Sequence, residues 1–199
     1  VVKAVDVPVT LKTRLGWDHD CLNAAYVARR AEAAGIRMVT IHGRTRCQFY
    51  KGQADWRAIA EIREAVDIPV IANGDITDAA SARQALDQSG ADGVMIGRGS
   101  YGKPWFLSQV MHFLKTGEKL PDPELSVIKT IMVEHYLSML EHYGEEAGKK
   151  IARKHISWYT KGLHDSAAFR QKVNKMTETK EVLDTIETFF EPLLDECAA

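Results

Sequence analysis

The chain has 199 residues, 45% of them hydrophobic and 27% charged, which is enough for a core of one domain or of a medium domain with a small companion and excludes a disordered or collagen-like chain. A formal net charge of −1 excludes a molecule-wide field aimed at nucleic acid, while leaving room for a local asymmetry. Cys21, Cys47 and Cys197 are widely spaced with no Cys-x-x-Cys pair, and the histidines show no metal-ligand spacing, so a disulfide framework, a structural zinc and a metal site are not expected.

In chain order, Pro8-Val-Thr-Leu-Lys-Thr-Arg14 reads as a first strand. A helical pattern follows through Asn23–Ala34, closed by Gly35. The second strand, within Val39-Thr-Ile-His-Gly-Arg-Thr-Arg46, ends at His42 and leads into a polar loop from Arg44 to Asp55. A helix over about Asp55–Val66 precedes a third strand in Pro69-Val-Ile-Ala-Asn-Gly-Asp75. Thr77 is the expected N-cap of a helix over Asp78–Gln88, with Asp78 at the positive end of its dipole. Gly90-Ala-Asp-Gly93 then turns into the fourth strand, Gly93-Val-Met-Ile-Gly-Arg-Gly99.

Strand starts fall roughly 25–30 residues apart, close to the ~31 residues per unit of a (β/α)8 barrel. Near-continuous Val/Ile/Met strands separated by helices indicate an α/β fold with a parallel sheet covered on both faces. Four such units are half of a TIM barrel, and a doubly wound open sheet is the structural competitor. A half barrel leaves two apolar strand edges bare, so either the other half precedes Val1 or two chains cover each other by self-association. The start at Val1, close to a strand, reads as the later part of a longer protein.

From Asp122 onward the strands stop. Asp122-Pro123 is the expected N-cap and first helical position of an amphipathic helix carrying Ile128, Ile131, Met132, His135, Tyr136, Met139, Leu140 and Tyr143 and ended by Gly144. Further helices are expected over Glu145–Leu163, Ala167–Met176 and Lys180–Phe190, the last stopping before Pro192. The division is therefore residues 1–118, the α/β part, and residues 119–199, a small all-helical bundle. No run approaches the ~20 apolar residues of a membrane span, and no signal-peptide pattern opens the chain.

Each strand changes abruptly at its end from Val/Ile to Lys, His, Arg, Asn, Asp or Gly, which is how a (β/α) barrel gathers a site. Lys12 shares a face with Thr10 and Arg14 by alternation: an inner-face lysine seeking an anion, or an outward one. His42 reads equally as a ligand-facing residue or a satisfied core histidine, with Gly43 leaving room beside it. Asp75 reads as a site residue or a turn residue. Gly97-Arg-Gly-Ser-Tyr-Gly102 matches G-x-G-x-x-G, but Lys103-Pro104 follows at once and no βαβ unit is completed, which argues against a Rossmann site. Bare glycine N–H groups and Arg98 still suit a phosphate, as do Asn73 and Gly74 at the previous strand end; tight turns alone are the other reading.

The helical part breaks the neutral average. From Lys149 to Lys175 the bases are Lys149, Lys150, Arg153, Lys154, Lys161, Arg170, Lys172 and Lys175, and Asp165 is the only acid. Steps of three and four place Lys150, Arg153, Lys154 and Lys161 near one helical face, with Trp158 and Tyr159 among them. The stripe reads as an RNA or phosphate surface, or as a solvated face over core aromatics.

Taken together, these motifs resemble the later part of a tRNA-dihydrouridine synthase of the bacterial B-type subgroup, over essentially the whole chain. Val9-Thr-Leu-Lys-Thr-Arg-Leu-Gly-Trp17, His42-Gly-Arg-Thr-Arg46 with Tyr50-Lys-Gly-Gln-Ala-Asp-Trp56, Asn73-Gly-Asp75, Gly97-Arg-Gly-Ser-Tyr-Gly-Lys-Pro-Trp105, Arg153-Lys-His-Ile-Ser-Trp-Tyr-Thr-Lys-Gly-Leu163 and Phe169-Arg170 carry the likeness. The resemblance implies an FMN enzyme that reduces uridine in tRNA to 5,6-dihydrouridine with NADPH, built as a TIM barrel with a helical RNA-binding domain; the widely spaced cysteines fit a reducing, cytoplasmic setting. It implies that Lys12 and His42 line the flavin and that Asn73, Gly74, Asp75, Gly97 and Arg98 hold its phosphate. Lys150, Arg153, Lys154, Lys161 and Arg170 would then face tRNA. The family's acid is a cysteine in an Asn-x-x-Cys-Pro-type motif; that motif is absent here, Cys21 and Cys47 stand in other contexts, and the chain alone is expected to be inactive. Rival readings are another FMN barrel oxidoreductase acting on a small molecule, a non-catalytic RNA-binding module, and a cofactor-free sugar-phosphate isomerase.

Overall fold

Four short parallel strands follow one another in space as they do in sequence: β1 (Leu11–Arg14), β2 (Val39–His42), β3 (Val70–Asn73) and β4 (Gly93–Met95), in the order β1-β2-β3-β4. The fold is therefore α/β with a parallel sheet, seen here in a computed structural model that describes residues 1–198 and side chains through residue 196. Between the strands run α1 (Ala24–Ala33), α2 (Arg57–Glu64) and α3 (Ala79–Ser89), and α4 (Phe106–Thr116) follows β4.

Register decides which side chains meet. Leu11 aligns with Val39 and Val39 with Val70, while Arg14 aligns with His42 and His42 with Asn73. Side chains alternate across a strand, so one face carries Val39, Ile41, Val70 and Ala72, all fully buried. They form a core with Ala24 and Ala28 of α1 and Ile59 and Ile62 of α2. Each large aliphatic so buried contributes about 1.5–3 kcal/mol, which fixes the strands against the helices. The opposite face carries Lys12, Arg14, Thr40, His42 and Asn73.

The local signals mostly hold. Helix α1 ends in a Schellman motif, with Ile36 N–H bonded to Ala31 O and Gly35 N–H to Glu32 O. The expected cap of α3 is corrected: Asp78, not Thr77, is the N-cap. Its carboxylate accepts from Ser81 N–H at 2.7 Å, and its own N–H donates to Ser81 Oγ. Ser81 supplies the reciprocal half of a capping box that the neighbouring threonine does not complete. Among the described residues the edge strands are short, four residues in β1 and three in β4.

The chain divides into two compact units, one of Val1–Ser100 with Phe106–Leu120, the other of Tyr101–Trp105 with the residues from Pro121 onward. The segment 101–105, which the sequence reading assigns to the first part, packs within the second. Tyr101 stacks on Trp158 with ring centroids 4.0 Å apart, and Trp105 Nε1 donates to Asp122 Oδ1.

The second unit is helical: α5 (Leu125–Tyr143), α6 (Glu145–Tyr159), α7 (Ser166–Val173) and α8 (Thr179–Ala198). Met132 and Tyr136 of α5, Ile156 of α6, Phe169 of α7 and Ile186 and Phe190 of α8 meet in its core. Three expectations change. Asp122 is not the cap of α5, which starts at Leu125; its carboxylate takes the Trp105 indole instead. Helix α6 stops at Tyr159, where Thr160 Oγ1 donates to the Ile156 carbonyl and Gly162, at φ +90°, turns the chain. Helix α8 runs through Pro192, because Leu194 beyond it still packs on the helical core, and that packing outweighs the missing backbone bond.

Cys21 and Cys47 are free and exposed; the Cys197 side chain lies outside the described residues. Among the described residues no helix is long and apolar enough to cross a membrane, and no group of three acidic, His or Cys side chains is placed to hold a metal.

Candidate functional site

At the carboxyl ends of the four strands the structure gathers Lys12, Arg14, His42, Arg44, Asn73, Asp75 and Arg98 within the first unit. Parallel strands deliver them because each strand stops at the same level and the register aligns Arg14, His42 and Asn73. A loop of residues 44–56 packs beside these ends and adds Tyr50.

Arg44 is the hub. It is 2% exposed, and its guanidinium donates to both oxygens of Asp75 at 2.8 and 2.6 Å. It also donates to the carbonyls of Lys51 at 3.2 Å and Gly52 at 2.6 Å, which ties the loop to the sheet. Asp75 accepts in addition from Ala54 N–H at 2.8 Å. Burial alone would raise the Asp75 carboxyl, but the Arg44 and Ala54 hydrogen bonds, with the charges of Arg44 and Arg98, hold it below the usual range. Asp75 is thus an ionised turn residue at φ 53° whose carboxylate faces arginines.

His42 is 7% exposed. Arg44 Nη1 lies 3.5 Å from its Nε2. Burial, then the positive charges of Arg14, Lys12 and Arg44, push His42 down to about 4 against a weaker opposing pull from Asp75, so the ring is neutral at pH 7. Gly74, at φ +118°, packs against that ring: a Cβ there would stand 2.8 Å from His42 Cδ2. Trp56 Nε1 holds the same turn through Gly74 O at 2.9 Å. The room expected beside Gly43 is not ligand space. The Asp55 backbone fills it, with Asp55 O 2.8 Å from where a Cβ would sit, because Asp55 N–H closes the loop onto Gly43 O.

The cations form a set. Lys12 is exposed on the open face of β1, and burial together with Arg14 lowers its pKa. Arg14 Nη1 donates to Thr45 O and Phe49 O. Arg98 is half exposed, 3.8 Å from Asp75, and its guanidinium lies 4.5 Å from the Tyr50 ring centroid. Asn73 Nδ2 donates to Met95 O at 2.8 Å, a link between β3 and β4. The two glycines around Arg98 differ. A Cβ on Gly99 would stand 2.2 Å from Ile76 O, whereas one on Gly97 would meet nothing within 4 Å.

Sequence reasoning passed over Arg44 and Tyr50 as site residues. Arg14 was visible by its shared face with Lys12. An arginine two positions beyond a strand-ending histidine, with an aspartate two positions beyond a strand-ending asparagine, was the available signal for the Arg44–Asp75 pair.

The basic residues of the second unit differ in exposure and in what they bond. Lys150 and Lys154 are exposed, and Lys154 Nζ lies 5.9 Å from the Trp158 ring. Arg153 is half buried and donates to Met176 O, and Lys149 donates to Thr177 O at 2.7 Å. Lys161 lies beyond the end of α6, and Arg170 donates to Ser166 Oγ. Lys172 and Lys175 line an open groove of about 500 Å³ with Gln171 and Thr177. Tyr159 is a core residue whose hydroxyl pairs with His135 Nδ1 at 3.0 Å, and burial pushes it up to about 12.

Chemically, the strand ends of the first unit offer a cationic mouth whose one close acid among the described residues, Asp75, is already paired. Comparison with known proteins gives it a context. The family model described as dihydrouridine synthase (Dus) matches residues 1–195. A probable tRNA-dihydrouridine synthase of Rickettsia bellii (strain RML369-C) is 55% identical over 194 residues, 98% of this chain and 60% of the relative. One of Rhodobacter capsulatus is 55% identical over 192 residues, 96% of this chain and 58% of the relative. The tRNA-dihydrouridine synthase B of Proteus vulgaris is 45% identical over 194 residues, 98% of this chain and 60% of the relative. The chain therefore spans about 60% of the length of these relatives. Among solved structures, a mandelate oxidase variant with benzaldehyde aligns over 92% of this chain and 65% of its own at 18% identity, with a TM-score of 0.34, too low to carry an argument.

Proposed function

Because the chain belongs to the dihydrouridine synthase family, we propose that it is the part of an FMN-dependent tRNA-dihydrouridine synthase that holds the flavin phosphate and the RNA. Its four βα units are then four of the eight of a TIM barrel (residues 1–118), and residues 119–199 are the tRNA-binding domain. The observation that carries the reading is the convergence of Lys12, Arg14 and Arg98 on strand ends whose one close acid is engaged by Arg44.

The residues present fit such a cofactor. Neither backbone conformation nor packing within the chain asks for a glycine at 97, so close approach of a ligand oxygen to its N–H is the remaining reason for it. Arg98, half exposed and steered by Asp75, supplies the charge for a phosphate. Asp75 is assigned to placing Arg44 and Arg98 and not to touching the anion, since two anions side by side repel. Asn73 and Gly74 shape the turn beside it. Lys12 and His42 line the open face of the sheet, where Lys12 favours negative charge and His42 stays neutral. FMN, when bound, supplies hydride transfer to the uracil ring after reduction by NADPH.

The base must leave its stack to be reached, so a second, RNA-gripping surface is required. Lys150, Lys154, Lys161 and the groove cations Lys172 and Lys175 serve it, with Arg153 and Arg170 anchored in the helical unit behind them. No Asn-x-x-Cys-Pro motif occurs in the chain, so the proton donor to uracil comes from elsewhere in a longer protein, and the chain alone does not turn over.

The test is formation of dihydrouridine in unmodified tRNA by a protein of the relatives' full length, supplied with NADPH. The reading expects product with flavin-loaded protein and its loss in Arg98→Ala at limiting FMN. Flavin-loaded, folded protein that reduces no tRNA uridine contradicts it.

A further inference from the structure

We infer that Arg44 is a positioning residue that holds His42 as its Nδ1–H tautomer, so that the histidine presents a hydrogen-bond donor to an acceptor oxygen or ring nitrogen of a ligand at the strand ends. The inference rests on the proposed flavin site only for the ligand's identity; the tautomer follows from this chain's own contacts.

A guanidinium has donors and no acceptor. Arg44 cannot turn its Nη1 away from His42, because Asp75, Lys51 O and Gly52 O fix the whole fork at 2% exposure. At 3.5 Å from that Nη1, His42 Nε2 has to offer its lone pair. One Nη1 N–H is taken by Asp75 Oδ1, and a proton on Nε2 would set the other head to head with a second donor in a buried place. Gly74 lies close to the same edge, where a Cβ would be 3.1 Å from Nε2, and no described residue offers Nε2 an acceptor. The proton of the neutral ring therefore sits on Nδ1. That atom makes no hydrogen bond to any described residue and is not one of the closed-off side-chain atoms without a partner, so it is the edge of a buried ring that stays open. A donor that the protein leaves unpaired on the one open edge of the ring is placed for a ligand acceptor.

Burial and the cations Arg14, Lys12 and Arg44 keep the ring uncharged at neutral pH in the chain without ligand, which agrees with a donor role.

Long-range proton–nitrogen correlation spectra of the 15N-labelled chain, without ligand, read the tautomer directly. The expected wild-type spectrum has a protonated, pyrrole-type Nδ1 and a pyridine-type Nε2 for His42, identified by its loss in His42→Asn. In folded Arg44→Met the ring shifts toward the Nε2–H form. A pyrrole-type Nε2 in the wild type overturns the inference without any variant, and an unchanged tautomer in folded Arg44→Met overturns the role of Arg44. FMN added to the same sample separates the two readings. Flavin binding by a chain with Nε2–H overturns the tautomer alone; Nδ1–H in a chain that ignores flavin upholds it and counts against the flavin site.

Discussion

Arg44 and Asp75 close on each other through hydrogen bonds of 2.8 and 2.6 Å, and this one pair joins the end of β2 to the end of β3. Its two members are unequally placed: Arg44 is 2% exposed and the Asp75 side chain 29%. Removing the acid strands a buried cation, whereas removing the arginine leaves a carboxylate that water can reach. Asp75→Asn, which keeps the left-handed backbone, is therefore expected to cost about 3–5 kcal/mol. Arg44→Met is expected to cost less, roughly 1–3 kcal/mol. Urea unfolding of the two variants checks the order; equal losses would mean that the pair is solvated.

Gly97 and Gly99 separate packing from binding. Gly99→Ala drives a methyl into Ile76 O and is expected to unfold or severely destabilise the first unit. Gly97→Ala has free space and is expected to leave stability within about 1 kcal/mol while weakening phosphate binding. Thermal melts beside FMN titrations read both effects. Retained FMN affinity in Gly97→Ala would remove this loop from the site.

His42 titrates at about 4 in the folded chain against an ordinary 6.5, so the unfolded chain binds the extra proton between those values. Stability from this group is therefore complete above pH 6.5 and is lost as pH falls toward 4. Asp75 acts in the same direction at lower pH, since its carboxyl is held below the usual range. Urea midpoints measured from pH 7 to pH 4 are expected to fall, and His42→Asn is expected to flatten the upper part of that fall.

In the helical unit, exposed and anchored cations should behave differently. Lys150→Glu with Lys154→Glu is expected to leave the fold intact, weaken tRNA binding and lower its salt slope by about 0.7–0.9 for each phosphate that the protein no longer neutralises. Arg153→Met removes a hydrogen bond to Met176 O and is expected to lower stability by about 1 kcal/mol. Filter binding over a salt series and thermal melts distinguish them. An unchanged slope in the double variant would place the RNA surface elsewhere.

The second and third strands were legible because each carries β-branched residues and ends before a glycine, Val39-Thr-Ile41 before Gly43 and Val70-Ile71 before Gly74, and tertiary packing agrees with that local preference. Lys12, Arg14, His42 and Asn73 were legible as a cluster because parallel strands bring their carboxyl ends together. Thr77 and Asp78 are both good caps, and only the partner Ser81 chooses between them. Pro192 was read as a stop because local chemistry favours one, while the packing of Leu194 acts from outside the helix. Arg44 was passed over for a related reason: its partner Asp75 lies 31 residues away, and their matching positions two residues beyond strand ends gain meaning only once β2 and β3 are paired in register. Arg153 reads as a surface cation by helical steps, yet its acceptor belongs to the chain beyond α7.

The most direct test of the phosphate site is a paired titration of the folded chain with FMN and with riboflavin, which differ by the phosphate alone, repeated in Arg98→Ala. The account predicts that wild type binds FMN at least tenfold more tightly than riboflavin, a difference of about 1.4 kcal/mol, and that Arg98→Ala abolishes the preference. Equal affinity for the two flavins in the wild type, or a preference that survives Arg98→Ala, would contradict it.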